Sequence, residues 1–147
     1  MKNLLLAIPV LFVALFTSCE KESVVSENEL PATAKTFIST NFPSAKVLRV
    51  EKQTTASSNG TEYSVDLDNR VEIDFDKNGN WTDVDGEDNV SLPTGFILPV
   101  IVTYIETNYA STTINAIEKT RVGFEVDLVN GLDLEFNANG EFVRLDP

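Results

Sequence analysis

The stretch VEIDFDKNGNWTDVDG, Val71 to Gly86, sets Asp74, Asp76 and Asn78 at every second position and follows them with Gly79. Alternating carboxyl and amide oxygens ahead of a glycine are how a calcium-binding loop begins, because a hard cation takes oxygen ligands and glycine permits the sharp turn between them. A complete loop of that kind also needs flanking helices and a bidentate Glu at its twelfth position. Here Asp85 stands at that position, and residues that alternate apolar and polar lie on either side. The remaining grouped carboxylates are Asp66 and Glu72 in the first half and Glu125, Asp127, Asp133 and Glu135 in the second. Paired carboxylates can perform glycosidase-type acid–base chemistry when a cleft fixes their separation and raises one pKa. Crowded acids on an exposed strand share the raised pKa without the cleft.

Other chemistries lack their residues. Among 147 residues there is no His and one Cys, so histidine acid–base catalysis, Cys–His and Ser–His–Asp constellations and the usual zinc sites cannot be built. No catalytic residue and no cofactor is therefore assigned. The formal charge of −12 excludes nucleic acid as a partner, since phosphate binding needs clustered Lys and Arg. It leaves a protein or peptide, with basic character the natural complement.

The elements that must position these acids fall into three stretches. MKNLLLAIPVLFVALFTSC opens with Lys2, runs apolar from Leu4 to Phe16, and ends on Thr17, Ser18 and Cys19. The run is short for a membrane span and reads as a secretory signal over 1–18. A cysteine directly after small residues resembles the lipobox of bacterial lipoproteins, although Phe16 stands where Leu is usual. The resemblance implies that Cys19 is acylated and becomes the first mature residue, holding the chain to a membrane by lipid alone. Residues 19–29 are polar and aperiodic and read as a tether.

Residues 30–147 read as one unit written twice, over 30–86 and 92–147. FISTNFPSAKVLRVEK, Phe37 to Lys52, aligns without a gap on YIETNYASTTINAIEK, Tyr104 to Lys119. After a deletion within QTTASSNGTE, the block from Tyr63 to Gly86 aligns on the block from Phe124 to Pro147. Leu30, Ala34, Phe37, Ile38 and Asn41 keep helical spacing between Pro31 and Pro43, and a second helix is expected from about Pro99 to Tyr109. Each helix gives way to period-two runs, which are strands with one apolar face. The fold class expected is α+β, with each copy a helix followed by antiparallel strands.

Alternation fixes a hairpin register. A three-residue loop, Val129 to Gly131, pairs Val126 with Leu134 and Phe124 with Phe136, keeping apolar residues on one face. The equivalent loop, Asp68 to Arg70, pairs Val65 with Ile73 and Tyr63 with Phe75. On the opposite face that register sets Asp66 against Glu72, Asp127 against Asp133 and Glu125 against Glu135. Like charges opposed across strands cost a few tenths to about 1 kcal/mol each, so this face is either solvated or meets something positive.

The second copy also decides the opening question. Glu135, Asn137 and Asn139 replace Asp74, Asp76 and Asn78, while Asn-Gly after an apolar strand is kept. What is kept is what a hairpin turn needs. The stretch is read as a turn, with calcium binding through Asp74, Asp76 and Asn78 as the alternative.

The blocks LPATAKTFISTNFPSAKVLRVEK and VEIDFDKNGNW, the duplication and the lipobox together resemble the PepSY-like family of secreted bacterial proteins, which is similar to β-lactamase-inhibitor protein. The resemblance covers about Leu30 to Pro147. It implies that the strands of both copies join into one curved antiparallel sheet with the helices on one face, that the other face binds a protein, and that the partner is of the peptidase class. It carries no catalytic motif onto this chain. The expected protein is thus a non-enzymatic lipoprotein of the bacterial cell envelope, facing the periplasm or the cell surface.

Overall fold

The structure, a computed structural model, describes residues 22–146. The signal segment 1–18, Cys19 and Glu20 lie outside the described residues. The chain runs β1 (Glu22–Val24), α1 (Ala32–Asn41), β2 (Val47–Gln53), β3 (Thr61–Leu67), β4 (Val71–Asp76), β5 (Trp81–Gly86), α2 (Pro99–Asn108), β6 (Ile114–Lys119), β7 (Gly123–Leu128), β8 (Asp133–Asn137) and β9 (Phe142–Asp146). The nine strands form one open sheet in chain order, and every neighbouring pair is antiparallel.

Period-two sequence makes the sheet two-sided. In β3 and β4, Val65, Leu67, Val71, Ile73 and Phe75 are buried while the residues between them are not. Val126, Leu134 and Phe136 do the same in β7 and β8. Both helices cover this apolar face. Ala34 and Ile38 of α1 and Ile101 and Ile105 of α2 join the same buried cluster. Phe37 meets Phe75 edge-on at 5.8 Å, and Tyr104 meets Phe136 edge-on at 5.6 Å.

The Thr-Asn pair that ends each helical block has a local purpose. Asn41 Nδ2 donates to Phe37 O (3.0 Å) and Asn108 Nδ2 to Tyr104 O (2.8 Å), each adding a second donor to a carbonyl four residues back and folding the amide onto the end of its own helix. The helices themselves match expectation, beginning at Ala32 and Pro99 and stopping at Asn41 and Asn108. Both hairpin registers also hold: Tyr63 lies opposite Phe75, Val65 opposite Ile73, Phe124 opposite Phe136 and Val126 opposite Leu134.

The segment expected to be a tether differs. From Glu22 onward it is ordered: β1 adds to the edge of β2, and a 3₁₀ turn over Glu27–Glu29 follows, held by a capping box between Ser26 and Glu29. Leu30 is then buried, anchoring the far end of the segment. The apolar pair Val24–Val25 and the capping residue Ser26 lie within an otherwise charged run, and the uncovered edge of β2 recruits them. Val25 N–H donates to Val50 O at 2.9 Å.

Candidate functional site

Strand register gathers the acids of the polar face into two rows that cross the sheet. The first runs Ser64, Asp74, Asp83, Glu118, Glu125, Glu135 and Arg144, each opposite the next on the adjacent strand. Five successive strands therefore carry a carboxylate at one level, with strands about 4.8 Å apart. The second row runs Arg49, Asp66, Glu72, Asp85, Ala116, Asp127, Asp133 and Asp146. Ala116 breaks it and leaves a depression of about 100 Å³ bordered by Asp83, Asp85, Glu118, Glu125 and Asp127.

The six residues expected on this face lie on it, and the opposed pairs Asp66–Glu72, Asp127–Asp133 and Glu125–Glu135 face each other directly. The structure adds Asp74, Asp83, Asp85 and Glu118. These occupy the centre, where β5 of the first half pairs with β6 of the second and sets Asp83 against Glu118. The alternation of WTDVDG and INAIEK shows which residues share a face, but not that the two strands are neighbours.

Neutralising cations stand at the flanks. Among the described residues, ion pairs join Arg49 to Glu51, Lys52 to Glu62 (3.8 Å), and Arg144 to Glu135 and Asp146. The centre consequently holds protons more tightly. Burial, and then Asp74, Glu118 and Asp85, push the Asp83 carboxyl up to about 7. Burial also raises Asp74, opposed by the Ser64 hydroxyl, which donates to its Oδ1 at 2.6 Å. Glu72, Asp85, Glu125 and Asp127 are raised by burial first and neighbouring acids second. Glu135 moves the other way because Arg144 bonds to it.

The two candidate calcium carboxylates are directed to separate partners. Asp76 Oδ1 accepts the N–H groups of Asn78 (2.8 Å) and Asn80 (2.9 Å), and Oδ2 accepts Asn80 Nδ2 (3.0 Å). Burial alone would raise this carboxyl, but the hydrogen bonds from Asn80 and Asn78 hold it below its ordinary value. Asn137 makes the same turn with a neutral amide, its Oδ1 accepting from Asn139 N (2.9 Å) and Glu141 N (3.0 Å). Gly79 and Gly140 follow with φ of 82° and 80°. Asp74 instead faces Ser64 on β3. Among the described residues, no three Asp, Glu, Cys or His side chains are gathered to hold a metal ion.

A family model described as "Putative beta-lactamase-inhibitor-like, PepSY-like" matches residues 16–73 and 61–144. Three similar solved structures come from Bacteroides. A "putative periplasmic protein of unknown function" from Bacteroides vulgatus is 30% identical over 86% of this chain and 100% of its own, with a TM-score of 0.77. A "putative calcium-regulated periplasmic protein" from Bacteroides thetaiotaomicron is 28% identical over 86% and 97%, also at 0.77. A further Bacteroides vulgatus periplasmic protein is 30% identical over 87% and 98%, at 0.77. No functionally curated protein matches the chain.

Proposed function

Since the chain belongs to the PepSY-like, β-lactamase-inhibitor-like family, we propose that it is a non-enzymatic lipoprotein of the bacterial cell envelope whose carboxylate face binds a basic protein or peptide. The observation that carries this reading is the row Asp74, Asp83, Glu118, Glu125 and Glu135, set by register across five strands with its one cation at the end. An open, extended array of spread charges suits a macromolecular surface better than a point ion, because each carboxylate can meet its own cation. The helix-then-strands order, met twice, supports reading the chain as a duplicated unit with the face spanning both copies. The family's likeness to an enzyme inhibitor makes a peptidase the first class of partner to try; the periplasmic relatives favour an envelope location, and the short apolar run that ends in Thr17, Ser18 and Cys19 points to Cys19 as the lipid anchor.

The direct test uses a synthetic lysine- and arginine-rich peptide and a charge-matched acidic control, titrated against the protein at low and high salt. Binding of the basic peptide alone, weakened by salt and weakened further by Asp83→Asn with Glu118→Gln, is the expected result. Affinity indifferent to both salt and substitution removes the face from consideration. Anchoring is tested apart: Cys19→Ser should move the protein from the membrane to the soluble fraction.

A second reading, calcium binding, is favoured by the relative described as calcium-regulated. A ligand that binds only the folded state raises its melting temperature. On the first reading millimolar calcium leaves melting nearly unchanged. A rise of several degrees abolished by Asp83→Asn assigns calcium to the face, and one abolished by Asp76→Ala but not by Asp83→Asn assigns it to the Asp74–Gly79 loop.

A further inference from the structure

The sheet ends on the three-residue β1 at one side and on the five-residue β9 at the other, and among the described residues no strand covers the outer edge of either. β9 offers the longer edge. An uncovered row of N–H and C=O groups is a template for another strand. Apolar surface adjoins this edge. Val143 and Leu145 of β9 are 56% and 44% exposed, and Leu98 and Val100 at the start of α2 are 37% and 45% exposed. These belong to one region, because the Gly140 turn packs on Leu98 and Val100 and the Phe142 ring stacks on Tyr104 at 4.7 Å. An apolar groove of about 520 Å³ continues along the outer side of α2.

Charge selects the occupant. Most of the polar face would repel a like surface, but its last strand carries a base: Arg144 bonds to Glu135 and lies 3.8 Å from Asp146. Two β9 strands laid antiparallel about Leu145 set Arg144 of each copy against Asp146 of the other on the polar face. The same register sets Leu145 against Leu145 on the apolar face, since Leu145 lies opposite the buried Leu134. A register centred on Arg144 would instead oppose two arginines. The chain's own amino-terminal strand cannot serve, because β1 lies at the other end of the sheet, eight strand spacings or about 38 Å away.

We propose that a second copy of this chain pairs along β9 about a two-fold axis at Leu145, giving one continuous sheet with both carboxylate faces on the same side. Residues facing each other across an antiparallel pair have Cα atoms about 4.5–5.5 Å apart, within the span of a disulfide. Mild oxidation should therefore link full chains carrying Leu145→Cys. It should not link chains carrying Val122→Cys, at a position 78% exposed, nor the unaltered chain, whose one cysteine is Cys19.

Sedimentation at high micromolar concentration gives the second measurement, with circular dichroism showing that each variant is folded. The unaltered chain should sediment as a dimer, Arg144→Asp should weaken association at least tenfold, and Arg144→Asp with Asp146→Arg should recover it. A monomer at that concentration overturns the proposal. So does a dimer indifferent to these substitutions, or one that Val122→Cys links as readily as Leu145→Cys.

Discussion

Arg70 and Gly131 occupy equivalent loop positions and adopt the same left-handed backbone, with φ of 65° and 80°. The left-handed region costs a residue bearing a Cβ roughly 1–2 kcal/mol, partly offset by the greater chain entropy glycine loses on folding. Arg70→Gly should thus stabilise the fold by a few tenths to about 1 kcal/mol in denaturant unfolding, and Gly131→Ala should destabilise it. At the face, Asp83 binds a proton more tightly folded than unfolded. Its contribution is fully present below its ordinary value of 3.8 and is lost as pH rises through about 7. Glu72, Asp74, Asp85, Glu125 and Asp127 shift in the same direction. Melting temperature should therefore fall from pH 5 to pH 8, and Asp83→Asn should flatten that fall; a curve rising over this interval contradicts the crowded-carboxylate account.

Turns and helices constrain each other at the scale of elements. A Cβ on Gly131 would meet nothing within 4 Å, whereas one on Gly79 would lie 2.7 Å from Ala34 N and 2.8 Å from Pro31 Cβ at the start of α1. Both positions pay the left-handed cost, and only Gly79 adds a clash with backbone. Gly79→Ala should be the more damaging by at least about 1 kcal/mol, the scale of overpacking in a closed site. The junction of the halves offers a second check. Lys119 Nζ lies 3.7 Å from the centre of the Trp81 ring and donates to Trp81 O at 2.9 Å, tying β6 to the first residue of β5. Lys119→Met keeps the stem and removes the charge, so it should cost about 1–2 kcal/mol. It should also change the fluorescence of Trp81, the chain's one tryptophan; unchanged emission and stability would show the contact to be incidental.

Over the whole molecule, the unbalanced charge and the open face act together. Most of the like charges lie within a Debye length of one another, so salt should relieve their repulsion. Added sodium chloride should raise the melting temperature, and Glu72→Gln with Asp133→Asn should reduce that salt response while stabilising the domain by a few tenths to about 1 kcal/mol per relieved pair. A salt-independent melting temperature would mean that the rows are already neutralised by protons or ions.

The sequence alone specified whatever is local in chain distance. A short loop between period-two strands leaves one register that keeps Val65, Ile73, Val126 and Leu134 on a common face, so the opposed pairs on the other face followed from spacing. Pro31, Pro43 and Pro99 bounded the helices because proline suits a first turn and cannot continue a helix. The Asp76 turn was legible because Asn137 repeats it without a charge. Tertiary structure decided the rest. Asp83 meets Glu118 only because β5 pairs with β6 across the α2 connection, a choice made by burying Val84 and Ile117 in a shared core. No local spacing encodes that pairing, yet it turns two short acidic patches into one row. The polar run from Glu22 to Glu29 likewise carries no periodicity of its own, and it became a strand and a capped turn because the edge of β2 supplied the hydrogen bonds.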